Sequence, residues 1–268
     1  MSSNALLFLS PHFDDVAFSC GGVFHALASR GWACHLATIF TQSVPSPQGF
    51  ALACQTDKGL APEVDYMAIR RQEDARAARA MGAHAVHTLD FPEAPHRGYH
   101  SAAALFGGRR SEEHLSGEIA QAVRALEASL TPRAIFVPQG LGGHVDHRLS
   151  IQSMQGVCGR AHTVWYQDAP YVWRDPSARV CEEVWGSGLQ SHCAPLSPAD
   201  MQAKVHASCA YKTQLNFQFG GPEQAQRQLM AYAQEVAQGS AQWAERFMLT
   251  PAAHDWLQSA LRAPLVAT

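Results

Sequence analysis

No stretch of this sequence stays apolar long enough to cross a bilayer. A spanning helix needs about 20 such residues, and the longest runs fall far short of that. Charge of neither sign is abundant. Lys and Arg number 20 against 23 Asp and Glu, a net charge of −3 with 16% charged residues. That balance offers no basic surface for nucleic acid. Cys-x-x-Cys is absent, and the seven cysteines (20, 34, 54, 158, 181, 193 and 209) are odd in number and scattered. A disulfide scaffold and a structural zinc ribbon are thereby excluded, and reduced thiols in the cytoplasm are expected. The opening Met-Ser-Ser-Asn lacks a charged region ahead of an apolar one, so no secretory signal is expected. Internal repeats and low-complexity tracts are missing too. With 268 residues, 47% of them hydrophobic, the chain can bury a large core. The expectation is a single domain over 1–268, in which 180–268 is an integral appendage.

What is present concentrates in two places. Residues 5 to 22 read Ala-Leu-Leu-Phe-Leu-Ser-Pro-His-Phe-Asp-Asp-Val-Ala-Phe-Ser-Cys-Gly-Gly. The run Ala5 to Leu9 has the length of a buried parallel strand, and Ser10 and Pro11 stop it. His12, Asp14 and Asp15 follow at once, and Val23 to Arg30 then reads as a helix. A His and two carboxylates thus leave the C-terminal end of a first strand, where open α/β sheets bind ligands. Residues 138 to 148, Pro-Gln-Gly-Leu-Gly-Gly-His-Val-Asp-His-Arg, likewise follow a strand-like run, Ala134 to Val137. A catalytic zinc takes three protein ligands and keeps one position open. His12, Asp15 and either His144 or His147 can supply them. The remaining His is then free for acid–base work, with Asp146 orienting it. The competing reading has Asp14 and Asp15 capping the next helix and His12 on the surface.

The rest alternates strand and helix, which predicts an α/β fold: a Rossmann-like, mainly parallel sheet flanked by helices. Ala33 to Phe40 is the second strand. Gly21-Gly22 does not give Gly-x-Gly-x-x-Gly, and 38–41 holds no acidic residue for a ribose, so a dinucleotide site is weakly supported. Residues 41 to 62 read as a long loop over the strand ends. Tyr66 to Met81 is a helix closed by Gly82, with Arg70 facing Glu73 at i, i+3. Strands follow at His84 to Phe91, Arg133 to Val137 and Thr163 to Tyr166. A helix from Glu112 to Leu130, capped by Ser111, precedes the second motif, and one from His147 to Cys158 follows it. Cys181 to Ala194 reads as irregular or a hairpin. One helix is expected from Ser197 or Pro198 to about Leu215, another over Pro222 to Gln238, and a short helical tail from Ala252. Tyr166, Tyr171 and Trp173 are aromatic candidates for a sugar cleft or for the core.

Pro11-His12-Phe13-Asp14-Asp15 resembles the Pro-His-Pro-Asp-Asp-Glu signature of the PIG-L/LmbE-like deacetylases, and Gly143-His144-Val145-Asp146-His147 resembles their Gly-His-Pro-Asp-His motif. The resemblance spans most of residues 5 to 250, and Ala244 to Met248 resembles the family's closing strand. It implies the three-layer LmbE-like fold and a zinc enzyme, iron(II) being possible, that removes acetyl from N-acetylglucosamine-type conjugates. It implies His12, Asp15 and His147 as metal ligands, Asp14 as general base, His144 with Asp146 as the oxyanion and acid partner, and Arg70 toward the substrate. The implied partner is a small amino-sugar conjugate, and homo-oligomers are possible. Three departures stand out. Val16 replaces the family Glu, Phe13 and Val145 replace prolines, and Gly142 stands where some members carry a Tyr. A zinc amidase for a non-sugar acyl amine, and a module binding a nucleotide or sugar phosphate at Gly21-Gly22, are the alternatives.

Overall fold

The computed structural model describes residues 4–108, 114–154, 157, 161–174, 184 and 188–264. Ser111, Glu112, Cys158 and Cys181, which figured in the expected boundaries, lie outside the described residues.

Among the described residues, seven strands form one sheet in the order β3-β2-β1-β4-β5-β7-β6. They are β1 (Ala5–Ser10), β2 (Ala33–Phe40), β3 (Ala85–Phe91), β4 (Ala134–Pro138), β5 (His162–Tyr166), β6 (Gln190–Leu196) and β7 (Trp243–Leu249). β1 to β5 are mutually parallel, whereas β7 runs antiparallel to β5 and to β6. β1 is buried along its whole length, as a central parallel strand must be, and this explains its unbroken apolar run. Its side chains alternate between two cores. Leu6 and Phe8 join the larger cluster, Leu7 and Leu9 the smaller.

The helices are α1 (Asp15–Ala28), α2 (Gly49–Thr56), α3 (Tyr66–Met81), α4 (Ala102–Leu105), α5 (Leu115–Leu130), α6 (Val145–Ser153), α7 (Tyr171–Arg174), α8 (Pro198–Cys209), α9 (Lys212–Phe219), α10 (Pro222–Ala237) and α11 (Pro251–Arg262). The larger cluster draws on α1, α3, α8, α9, α10 and α11, and the smaller on α5 and α6, so helices cover both faces. α3 has the bounds its sequence predicts. Asp65 caps it through the Ala68 amide, and Gly82 closes it in the left-handed conformation.

Three expectations are corrected. The first helix does not begin after the glycines. It runs from Asp15 through Gly21 and Gly22 and bends at Cys20, whose φ/ψ of −136/24 is non-helical. Just beyond the bend, Glu245 on β7 accepts from the amides of Gly22 and Val23, at 3.0 and 2.8 Å. The 41–62 loop contains α2. The helix expected from 197 to 215 is two, α8 and α9, separated at Ala210 and Tyr211.

Strand order reverses between β1 and β4, which are neighbours in the sheet. At such a switch point the connections leave in opposite directions and open a crevice beyond the strand ends. Both His/Asp motifs sit there, one at the end of β1 and one entering α6.

Candidate metal centre

Asp14 turns the chain from β1 into α1 with φ 107°, a positive value for a residue that has a Cβ. Such strain costs about 1–3 kcal/mol and persists where the surroundings enforce it. Asp14 makes no side-chain cap bond, so its carboxyl faces the crevice instead of serving the helix. Asp15 also does not cap. Its Oδ2 accepts from the amide of His12 at 2.8 Å, while Ser10 Oγ takes the amide of Val16 at 3.2 Å. The capping reading of this pair therefore fails.

His12, Asp15 and His147 converge. Their donor atoms all lie within 4.8 Å of one another, and all three residues are buried. Asp15 Oδ2 is 3.4 Å from His12 Nδ1 and 3.3 Å from His147 Nε2. Bonds of about 2.1 Å in a tetrahedron separate ligand atoms by roughly 3.4 Å, so a divalent ion fits. His147 Nε2 is buried without a hydrogen-bond partner, which is the state of a nitrogen aimed at a cation. The other nitrogen of each histidine donates to a carboxylate: His12 Nε2 to Asp146 at 2.8 Å, and His147 Nδ1 to Asp168 at 2.6 Å. This pairing fixes the tautomer and ring orientation that a metal-binding imidazole requires. A second grouping, His12, His144 and Asp146, is also close enough for a metal. Its carboxylate is already spent, however. Besides His12, Asp146 accepts from Arg97 at 2.7 Å and from the Ala94 amide at 3.1 Å.

Burial opposes charge on every group here, and neighbouring charges decide the outcome. Burial pulls His12 down, but its bonds to Asp146 and Asp15 win and push it up to about 9. His147 rises for the same reason, through Asp15 and Asp168. Asp15 is buried yet held well below the usual carboxylate range by His147 and His12, and Asp146 likewise by His12 and Arg97. Asp14 is pushed up to about 8 by burial and by Asp15, with Arg70 pulling back. Two adjacent carboxyls thus sit on opposite sides of neutrality, the arrangement that lets one bind a cation and the other move a proton. Burial pushes His144 down to about 3.

Two expected pairings are replaced. Asp146 was to orient His144 through its carboxylate. Instead the Asp146 amide donates to His144 Nδ1 at 3.2 Å, and the carboxylate holds His12. His144 is therefore neutral, with its proton on Nε2. Arg70 was to pair with Glu73. It pairs with Glu93, donates to the Phe13 carbonyl at 3.1 Å and lies 4.0 Å from Asp14, while Glu73 accepts from Thr213. Arg70 is met by Glu93 from the segment after β3, and the i, i+3 residue is left to Thr213. Arg70 thus braces the Asp14 turn.

Asp168, Arg97 and Glu93 escape sequence reasoning, as does the position of Tyr171. Asp168 carries one legible sign, an acidic residue just beyond the C-terminal end of a parallel strand. Tyr171 fills the space left by Gly142. A Cβ there would lie 3.0 Å from Tyr171 Cβ and Cδ1, and the phenol ring stands edge-on to His147 at 5.4 Å. Tyr171 and Glu93 line one cavity of about 310 Å³ together with His12, Asp14, Asp15 and His144. The Gly21-Gly22 region is no anion site, because Glu245 already holds the amides of Gly22 and Val23.

The family described as PIG-L: GlcNAc-PI de-N-acetylase matches residues 7–154, more than half of the chain. Among curated proteins, the 2'-N-acetylparomamine deacetylase of Streptomyces fradiae is 32% identical over 168 residues, 62% of this chain and 57% of that protein. The match therefore spans little more than half of that relative's length. The 2'-N-acetylparomamine deacetylase of Niallia circulans is 28% identical over 237 residues, 81% of this chain and 82% of that protein. Among solved structures, the zinc-inhibited form of a teicoplanin deacetylase superposes with a TM-score of 0.78 at 21% identity, covering 91% of this chain and 97% of that one. The A40926 pseudoaglycone deacetylase gives 0.77 at 22%, covering 93% and 97%. At these identities the superpositions establish the fold, a mostly parallel sheet flanked by helices.

Proposed function

The chain belongs to the PIG-L family, and from that premise we propose that it is a metal-dependent hydrolase that removes the acetyl group from an N-acetylated amino-sugar conjugate. The observation that carries the reading is the donor triad His12, Asp15 and His147, with a second carboxylate behind each imidazole and Asp14 beside it. The named activities of the relatives support the substrate class. Zinc is the metal we assign, since two imidazoles and one carboxylate with a position to spare suit it; iron(II) accepts the same donors.

A divalent ion held there supplies Lewis acidity toward the acetamide oxygen and toward a bound water. Asp14, lining the cavity and held near neutrality, takes the proton of the attacking water and returns one to the departing amine. Arg70 keeps the Asp14 turn in place through the Phe13 carbonyl. His144, as a neutral imidazole, donates an Nε2–H hydrogen bond to the developing oxyanion, with Asp146 fixing the tautomer through its amide, not its charge. Asp146 and Asp168 hold the ligating rings. Acetate and a free amino sugar leave. Cytoplasmic residence belongs to the same reading, supported by described cysteines that are all free thiols.

Metal analysis of protein purified without added metal, beside amine release from an N-acetylglucosamine glycoside before and after chelation, tests the reading. About one ion per chain, with release lost on chelation and restored by metal, is expected. Bound metal with no release from any acetamido sugar would turn the assignment to a non-sugar acyl amine. Failure to bind metal at all would end the hydrolase reading.

A further inference from the structure

The cavity that holds the metal ligands also carries cations, and they divide into two kinds. Arg70 is paired with a carboxylate. Lys58 and Arg174 are not. Lys58 Nζ donates only to the Cys54 carbonyl, at 2.6 Å, and lies over the rings of Tyr66 at 5.4 Å and Phe217 at 4.8 Å. Arg174 donates to the Gln218 carbonyl. Among the described residues neither has a carboxylate within ion-pair reach. The carboxylates of the cavity are engaged elsewhere, Asp15 and Asp146 with histidines, Glu93 with Arg70, and Asp14 4.0 Å from the same Arg70; Asp57 is left over, at the exposed edge. A half-buried ammonium without a counter-ion is unfavourable, since burial pulls its proton affinity down. Such a cation persists when a ligand completes it.

The same wall is apolar where it meets solvent. Phe217 is 63% and Phe106 46% exposed, and both line the cavity. Phe106 reaches inward to stand edge-on to His144 at 5.3 Å. Large aromatics left in water at a cavity mouth mark a surface that meets a ligand.

We propose that the group attached to the amino sugar is anionic and carries an aromatic or flat apolar face, Lys58 pairing with the anion and Phe106 and Phe217 packing on the face. The proposal rests on the deacetylase reading and names its substrate class. It predicts a preference opposite to that of a polyamine such as paromamine, for which two relatives are named.

The test uses aryl glycosides of N-acetylglucosamine that differ only at the para position: carboxylate, phosphate, methyl and aminomethyl. The metal-loaded protein should favour the two anions over the aminomethyl compound by about tenfold in kcat/KM. The advantage should shrink in high salt. Lys58→Met should bring the ratio to near unity and Lys58→Arg restore it, whereas Phe217→Ala should weaken all four aryl glycosides and keep the ratio. Carboxylate and phosphate arms that differ from each other identify the anion. Equilibrium binding of the same compounds to chelated protein reads the preference without turnover. Binding that favours anions with no acetate released would keep this proposal and sink the deacetylase reading. A wild-type protein that is indifferent to charge or favours the ammonium, or a Lys58→Met variant that keeps the ratio, would overturn the proposal itself.

Discussion

At the scale of single residues, the distinction that matters is between the side chains proposed to meet a metal and the side chains that hold them. Asp168 is the clearest of the second kind, with one oxygen on His147 Nδ1 and the other on the amides of Gln139 and Leu141, at 2.9 and 3.2 Å. Asp168→Asn should keep the fold and weaken metal affinity about 10- to 100-fold, the usual effect of removing a carboxylate behind a metal-binding histidine. Competition with a graded series of chelators measures it. Asp14→Asn should do the reverse, holding metal at the parental level and losing turnover by at least ~10². If Asp14→Asn lost the metal and Asp168→Asn kept it, the two roles would have to be exchanged. The candidate site was legible in the sequence because His12, Asp14 and Asp15 lie within four positions, as do His144, Asp146 and His147. Asp168, Glu93 and Arg97 were not, since each acts singly, and its partner is chosen by the folding of distant loops onto one another.

A second residue argument concerns Asp74, buried on α3 with one oxygen on the Tyr211 hydroxyl at 2.7 Å and the other without a partner. Burial pushes its carboxyl from 3.8 up to about 6. The folded chain therefore holds this proton more tightly than the unfolded chain. Its contribution to stability is fully present below about pH 4, falls as pH rises toward 6 and is constant above that. The difference amounts to about 3 kcal/mol. Asp74→Asn removes that slope. Urea unfolding of parent and variant in chelator should therefore show the variant gaining on the parent by up to about 3 kcal/mol between pH 4 and pH 7. A gap that stays constant across the range would mean the carboxyl titrates normally in the folded state.

At the scale of elements, the bend in α1 couples the metal loop to the far edge of the sheet. Gly22 lies against Leu196 of β6, and a Cβ there would fall 2.6 Å from Leu196 Cδ1 and 3.1 Å from Glu245 Oε1. Lys204 on α8 completes the joint, donating to Glu245 at 2.7 Å and to the Ser19 carbonyl at 3.0 Å. Gly22→Ala should overpack this joint and cost about 1–3 kcal/mol, read as a lowered Tm. Leu196→Val in the same chain should recover part of the loss, whereas Leu196→Val alone should not stabilise. Failure of the second substitution to help would place the strain elsewhere. The Gly-Gly pair looked like a break before a helix because glycine commonly serves there. Here the helix continues through it, and the glycine at 22 is needed for close approach to a strand some 170 residues away. No local pattern carries that information. The division of α8 from α9 is hidden for the same reason, because each half takes its direction from what it packs on. α3 was legible to the residue since its cap, periodicity and terminal glycine are all local.

At the scale of the whole molecule, alternating strand and helix signals made the parallel part of the sheet legible from β1 to β5. They left the strand order open, and the order is what brings the two motifs together. The C-terminal third was less legible, since β6 and β7 are antiparallel additions without a crossover to announce them. Their attachment is nonetheless extensive. β7 pairs with β5, α8 packs on α1 and α3, and Trp256 on α11 meets Trp32 edge-on at 5.7 Å. The buried Lys204–Glu245 pair ties the same region to α1, and removing either partner would leave an unpaired charge in the core. We therefore expect one cooperative unfolding transition. Tryptophan fluorescence, which reports on Trp32 and Trp165 in the first part and Trp243 and Trp256 in the second, should share its urea midpoint with far-ultraviolet circular dichroism. A metal held by His12, Asp15 and His147 as proposed would tie the loop after β1 to the start of α6, so metal at 1,000 times its Kd should add about 4 kcal/mol of stability and raise that common midpoint. Two separate midpoints, with metal moving only one, would show that residues 180–268 fold as a unit of their own. The joint at Gly22 would then be an interface between two domains and not part of a shared core.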